Sequence, residues 1–410
     1  MKKNLFRIAA SIAMGIALCF SVSVLSGCQK DGEIIDAPRK DIVLTKAQTE
    51  YVQAGNQFTF NWLNVVNEKQ NGDWFVSPLS IQFVLCMLAN GADGFALGEI
   101  CNVLCYGRDD YGSVNDYIKS IMSQLAVLDP NTEINIANLI LADARDPFIP
   151  SYKSQITSTF NATAHEMSFS QASAVVAWVN QWASGNTKGM ITDIISEKDL
   201  GSNTRSVIGN TVYFKGRWKQ RFNKNSTKDK SFTLENGTKK TVKMMSQTSD
   251  FLCGQTSVFK QLSLPYGNES FQMVILLPSD GKSIRDVIAA LSDAGFPETK
   301  QKLADVWLPK FESHTPKFEI KDYLVSMGMD PLTLEGENFR GIQPDIETIN
   351  ILHSARIAVD ESGSEAGAAT VATGMATGMP FQFHADHPFL YLIREVSTGA
   401  ILFAGKYGAE

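Results

Sequence analysis

The sequence predicts an α+β fold, with helical patterns crowding the first part of the chain and strand patterns the second. Three observations carry this. Residues 46–70 and 77–90 have the apolar spacing of helices. From residue 205 onward, apolar residues alternate or run in short blocks broken by Gly, Asn and Ser. Beyond residue 45 no linker and no fixed-period repeat divides the chain, so these patterns belong to one domain. The composition suits it: 410 residues, 44% hydrophobic, 20% charged, with 24 Phe to fill a core. A chain of this size buries a large share of its surface. A net charge of −6 without a long basic run argues against a nucleic-acid surface.

The first residues read as an address. Lys2, Lys3 and Arg7 precede an apolar stretch, Ile8 to Leu25, which ends in Leu25-Ser26-Gly27-Cys28. This is the pattern of a signal peptide, residues 1–27, rather than of a spanning helix. LSGC resembles a bacterial lipobox, in which the cysteine takes lipid and becomes the first mature residue. The alternative is an ordinary secretory signal with a chance cysteine. Residues 28–45 are polar and mixed, as expected of a tether, and the domain is expected over 46–410.

The elements follow in order. Residues 46–70 read as an amphipathic helix. Ser77-Pro78 caps and opens a second helix, 77–90. Cys86 sits inside that apolar run and reads as a buried thiol. Cys101 and Cys105, four apart, are placed to share a helical face, a poor geometry for a disulfide. Cys253 is the fourth cysteine left after Cys19 and Cys28. Residues 172–187 read as a helix, and 132–143 (TEINIANLILAD) and 205–218 as strands. Residues 257–278 read as a hairpin turning at Tyr266-Gly267-Asn268, and 388–407 as a terminal hairpin turning at Ser397-Thr398-Gly399. The five histidines are too dispersed for a zinc site, so no metal or other cofactor is expected. No nucleophile elbow, zincin, phosphate-binding or dinucleotide motif occurs.

One segment fits neither a core nor an ordinary loop. ESGSEAGAATVATGMATGMPFQF, residues 361–383, holds no charge between Glu365 and Asp386 and little apolar bulk. Counted by twos from Ser364 it gives Ser364, Ala366, Ala368, Thr370, Ala372, Gly374 and Ala376, all small and uncharged. From Ser364 onward the one charge, Glu365, falls on the other set. In a strand, alternate side chains face the core, and here one alternate set is free of charge and bulk. A plain flexible Gly/Ala loop accounts for the composition but not for the register.

Seven stretches together resemble the serpin family in order and spacing: 75–94 (FVSPLSIQFVLCMLANGADG), 209–222, 262–278, 307–312 (WLPKFE), 323–331, 351–370 and 384–407. The resemblance covers about residues 46–410. It implies a serpin fold with about nine helices and three β-sheets, and makes 362–383 the exposed reactive-centre loop. It implies no enzyme, but a suicide-substrate inhibitor whose cleaved loop inserts into the central sheet and traps the protease as a covalent acyl-enzyme. The hinge is then Glu361, Gly363, Ser364, Ala366, Gly367, Ala368 and Ala369; Gly367 departs mildly from the family's Ala-rich run. By family spacing the scissile bond is Thr377-Gly378, with Met375, Ala376 and Met379 as runners-up.

Ser77, Ser80, Asn210 and His353 match the family's shutter. Trp218 and Lys310 match the breach, with Lys310 paired to Glu361. With no Lys or Arg between 366 and 383, elastase-like or subtilisin-like serine proteases are the expected targets, chymotrypsin-like ones if Met is cleaved. Papain-like cysteine proteases are an alternative, and so is a non-inhibitory carrier or chaperone-like member. The 108–125 region is poor in basic residues, so no heparin-type activator is expected. The expected protein is a monomer, lipid-anchored through Cys28 at a bacterial outer membrane or cell surface.

Overall fold

The computed structural model describes residues 35–107, 111–315, 320–346, 348–363 and 379–409. Among these the chain folds as eight α-helices and fourteen strands. The helices are α1 (Lys46–Lys69), α2 (Pro78–Ala89), α3 (Gly94–Val103), α4 (Tyr111–Leu125), α5 (Pro150–Phe160), α6 (Ala172–Asn186), α7 (Ile284–Ala294) and α8 (Ile320–Ser326). The strands are β1 (Trp74–Val76), β2 (Thr132–Asp143), β3 (Thr163–Met167), β4 (Thr204–Gly216), β5 (Lys228–Thr233), β6 (Lys239–Gln255), β7 (Phe259–Pro265), β8 (Phe271–Pro278), β9 (Lys300–Pro309), β10 (Phe311–His314), β11 (Thr348–Val359), β12 (Phe381–His384), β13 (Phe389–Glu395) and β14 (Ile401–Tyr407).

A five-stranded sheet runs β10-β11-β4-β2-β3. Nine further strands form a second sheet in which the long β6 pairs with β5, β9 and β7 in turn. Of the three sheets expected, two are thus joined through β6. Helix α2 lies between the layers against β4 and β14. All twelve of its residues are buried, which is why its sequence is apolar on every side apart from Ser80 and Gln82. Ser77 caps it by accepting from the Ser80 N–H, with Pro78 at the first position, as the sequence indicates. Thr45 and Gln48 form a capping box that starts α1. Phe75 stacks between Tyr391 and Phe403 at 5.9 and 5.2 Å, tying β1 to the terminal hairpin.

Two expectations change. Helix α3 ends at Val103, and Cys105 sits beyond it in a left-handed turn (φ 59°), so it shares no helical face with the buried Cys101. Residues 35–45, read as the end of the tether, pack along the domain. Asn131 clasps the backbone of Ile35, the Ser270 hydroxyl donates to Lys40 O, and Ile42 is buried and donates to Ser397 Oγ. The signal peptide and Cys28 lie outside the described residues. Among the described residues no helix is long and apolar enough to cross a membrane.

Candidate functional site: a divisible central sheet and its latch

The two central strands of the five-stranded sheet, β4 and β11, are parallel, and their register runs from Thr204/Thr348 to Val212/Ala355. Above that level β4 is laddered to β2, through Gly216 and Thr132, and β11 to β10, through Val359 and Phe311. The central pair closes again at the top, through a tight reversal. Asp360 and Gly363 exchange backbone hydrogen bonds of 2.9 and 3.3 Å, and Gly363 also bridges Arg217 in the antiparallel sense. Gly363 is therefore wedged between the prolongations of both strands and antiparallel to each.

Only glycine fits there. Its φ is +137°, and a Cβ would stand 2.1 Å from Gly216 O. Gly363→Ala is expected to cost about 1–3 kcal/mol by forcing the reversal away from β4. The measurement is the thermal midpoint of the intact protein; an unchanged midpoint would contradict the wedge.

A latch holds the reversal down. Trp218 is buried, stacks on Tyr266 at 4.4 Å, donates its backbone N–H to Ser362 O and its indole N–H to Asp360 O. Phe222 N–H donates to Glu361 O. The Glu361 carboxylate, 5% exposed, accepts from Lys310 Nζ at 2.8 Å and Thr227 Oγ1 at 2.7 Å. Burial alone raises its pKa, but these two donors outweigh burial and hold the carboxyl below its usual range. The carboxylate end of the pair is buried while Lys310 reaches solvent, so the bridge is only partly screened, unlike a fully exposed pair, which contributes at most about 1 kcal/mol. Removing Lys310 strands a buried charge.

Lower down, one polar row crosses the sheet. Asn138, Asn210 and His353 sit directly opposite one another on β2, β4 and β11. Ser77 N–H donates to His353 Nε2, which assigns the proton of the neutral ring to Nδ1. Nδ1–H then donates to Ser80 Oγ (3.0 Å), Ser80 to Asn210 Oδ1 (2.5 Å), Asn210 Nδ2 to Asn138 Oδ1 (2.6 Å), and Asn138 Nδ2 to Phe160 O (2.7 Å). The Ser77 hydroxyl donates to Leu402 O. This directed chain, anchored in α2, β14 and α5, bolts β4 to β11 below the point where their ladder ends.

Desolvation pushes His353 down to about 3. A second ring proton would also face the Ser77 N–H, donor against donor. The ring is neutral in the fold, whereas the unfolded ring gains its proton near 6.5. Stability is therefore expected to fall as pH drops from about 6.5 toward 3. Loss of the Glu361 contribution adds below about 4.5, that carboxyl's usual value. His353→Gln should flatten the upper part of the curve, seen as a smaller change in thermal midpoint between pH 7.5 and 5. An equal change in both proteins would contradict this.

The family model described as Serpin (serine protease inhibitor) matches residues 53–408. The chain belongs to the serpin family. Human Serpin B8 is 29% identical over 373 residues, covering 87% of this chain and 98% of that protein. Human glia-derived nexin is 30% identical over 357 residues, covering 83% and 89%. Among solved structures, Arabidopsis AtSerpin1 in its native stressed conformation superposes with a TM-score of 0.78, at 27% identity and over 89% and 98% of the two chains. The thermophilic serpin tengpin in its native state superposes with a TM-score of 0.79 over 92% and 99%, at 24% identity, a likeness of fold.

In this serpin Ser77, Ser80, Asn210 and His353, expected as the shutter, are brought together, and Trp218 and Lys310, expected as the breach, both meet the segment holding Glu361 and Gly363, expected as the hinge. Met379, a runner-up for the cleaved position, is 90% exposed. Ser364, Ala366, Gly367, Ala368, Ala369, Met375, Ala376, Thr377 and Gly378 lie outside the described residues. Three participants were missed in the sequence. Asn138 carried a legible signal, a polar residue on the apolar face of an alternating strand. Thr227 and Tyr266 carried none, since only the fold places them beside Glu361 and Trp218.

Proposed function

We propose that the chain is a single-use inhibitor of serine proteases, elastase-like or subtilisin-like, or chymotrypsin-like if a Met is the cleaved residue. The observation that supports it most is Gly363, already seated antiparallel between the two central strands. A strand continuing from it between β4 and β11 would replace one parallel ladder with two antiparallel ones, the slightly more stable pairing. About ten added backbone hydrogen bonds, each worth roughly 0.5–1.5 kcal/mol net, come to on the order of 10 kcal/mol. Strand addition by a serpin loop is an established mode of β-augmentation. Here cleavage at Thr377-Gly378 would free residues 364–376 to enter, carrying the acyl-linked protease with them. The small, uncharged inward set from Ser364 to Ala376 is the sequence such an insertion needs.

The test is a denaturing gel with mass spectrometry after mixing the mature protein with elastase, subtilisin and trypsin. The expected result, with elastase or subtilisin, is a boiling-stable band at the summed mass less the part of the chain beyond the cleaved bond, and a released fragment beginning at Gly378. Clean cleavage without a complex across a wide protease panel would favour the carrier reading. We also propose that Cys28 carries lipid and holds a monomer at a bacterial outer membrane or cell surface. Cys28→Ser should move the protein from the membrane to the soluble fraction; retention of the variant in the membrane would refute this.

A further inference from the structure

We propose that Lys260 and Lys302 dock the rim of the target protease's primed subsites, and that this rim carries carboxylates. The proposal rests on the inhibitory reading above. Phe381 opens β12, which pairs in parallel with β9 at Phe381↔Ala304. Lys302, two residues earlier on β9, places its Nζ 4.9 Å from the centre of the Phe381 ring, and Lys260 on β7 places its Nζ 5.9 Å from it. Lys260 also donates to Gln382 O at 3.2 Å. The neighbouring Lys300 pairs with Glu298 at 3.8 Å. Neither Lys260 nor Lys302 has a carboxylate within ion-pairing distance among the described residues, and Lys302 is exposed.

The position dictates the partner. From the proposed scissile bond, Phe381 is three residues on, a span of about 10 Å in extended chain. Moving the bond to a runner-up position changes this by a residue or two. A protease–inhibitor interface buries about 800 Å² per partner, a patch of roughly 16 Å radius. Such a patch centred on the bond extends past Phe381 toward the lysines that lie against its ring. Two unneutralised ammonium groups under that footprint disfavour a basic rim and favour an acidic one. The chain as a whole carries −6, and its loop has no Lys or Arg between 366 and 383. The attraction for an acidic rim is therefore supplied from beside the loop. Holding Phe381 alone does not require both lysines, since an exposed cation–π contact contributes only about 0.5–1 kcal/mol.

The experiment compares the unsubstituted protein with Lys260→Glu/Lys302→Glu and with Lys260→Gln/Lys302→Gln, all matched for thermal midpoint. Each reacts with two forms of subtilisin that differ only at the primed-side rim, carboxylates in one and the corresponding amides in the other. The rate of forming the boiling-stable complex is followed across ionic strength. With the carboxylate rim the Glu pair should slow complex formation about tenfold or more at low salt, and its salt dependence should flatten or invert. The Gln pair should fall between, and the amide rim should show little difference. Equal slowing with both rims would reduce the lysines to supports for Phe381 and overturn the proposal, as would no slowing with either. No complex by the unsubstituted protein with either subtilisin or with the wider protease panel would remove the inhibitory reading, and this inference with it.

Discussion

Thr370→Arg is expected to turn the trap into a substrate: the protease still cleaves, but the boiling-stable complex is largely lost. By the alternation of the sequence, Thr370 falls in the set that would face inward on insertion, midway along the proposed inserted strand. An arginine there would have to enter the sheet's core side without a partner. Burying an unpaired cation costs several kcal/mol even after relaxation. Trapping is a race between insertion and hydrolysis of the acyl-enzyme, and each 1.4 kcal/mol added to the insertion barrier slows it about tenfold. Even a fraction of the burial cost suffices to hand the race to hydrolysis. Ala369→Arg is the control, because its side chain falls on the outer set and stays in water. The readout is the number of inhibitor molecules consumed per protease trapped, expected to rise more than tenfold for Thr370→Arg and little for Ala369→Arg. Similar values for the two would mean that the alternation of small residues carries no register.

Much of this was legible in the sequence, for local reasons. The capping of α2 by Ser77-Pro78, the boundaries of β2 and both hairpin turns are set by neighbours in sequence, and the structure agrees within a residue or two. Helix α7 carried its own signal, the capping box of Ser283 and Asp286, which sequence reading passed over. Strand β6 was harder, since its seventeen residues serve three partners in turn and its exposure pattern changes along its length. The site divides the same way. Residue types flagged His353 and Asn210, but the directed hydrogen-bond chain exists only because parallel pairing sets His353 opposite Asn210 and antiparallel pairing sets Asn138 there too. Lys260 and Lys302 lie 121 and 79 residues before Phe381 in a segment of chain that reads as plain strand. No local pattern marks them; sheet pairing alone brings them to the loop's exit.

Asn210→Ala should loosen the intact protein strongly, because it breaks the polar row between β4 and β11. Asn210 is fully buried, accepts from Ser80 and donates to Asn138. Its removal leaves two buried groups without their partners, each costing about 1–3 kcal/mol. A loss of about 2–4 kcal/mol is expected, together with a shrinkage cavity where the side chain stood. The loss should not be symmetric between states. In the intact protein the row spans β4 and β11 side by side, whereas an inserted loop would separate them and break the His353–Ser80–Asn210 connection in any case. The variant should therefore lower the thermal midpoint of the intact protein more than that of the loop-cleaved form, and it should speed the spontaneous loss of inhibitory capacity on storage. Unfolding of both forms with and without Asn210, followed by circular dichroism, decides the point. An equal loss in the two would mean that the row is ordinary core hydrogen bonding, and that the strength with which β4 holds β11 is set elsewhere, at the Glu361 latch and the Gly363 wedge.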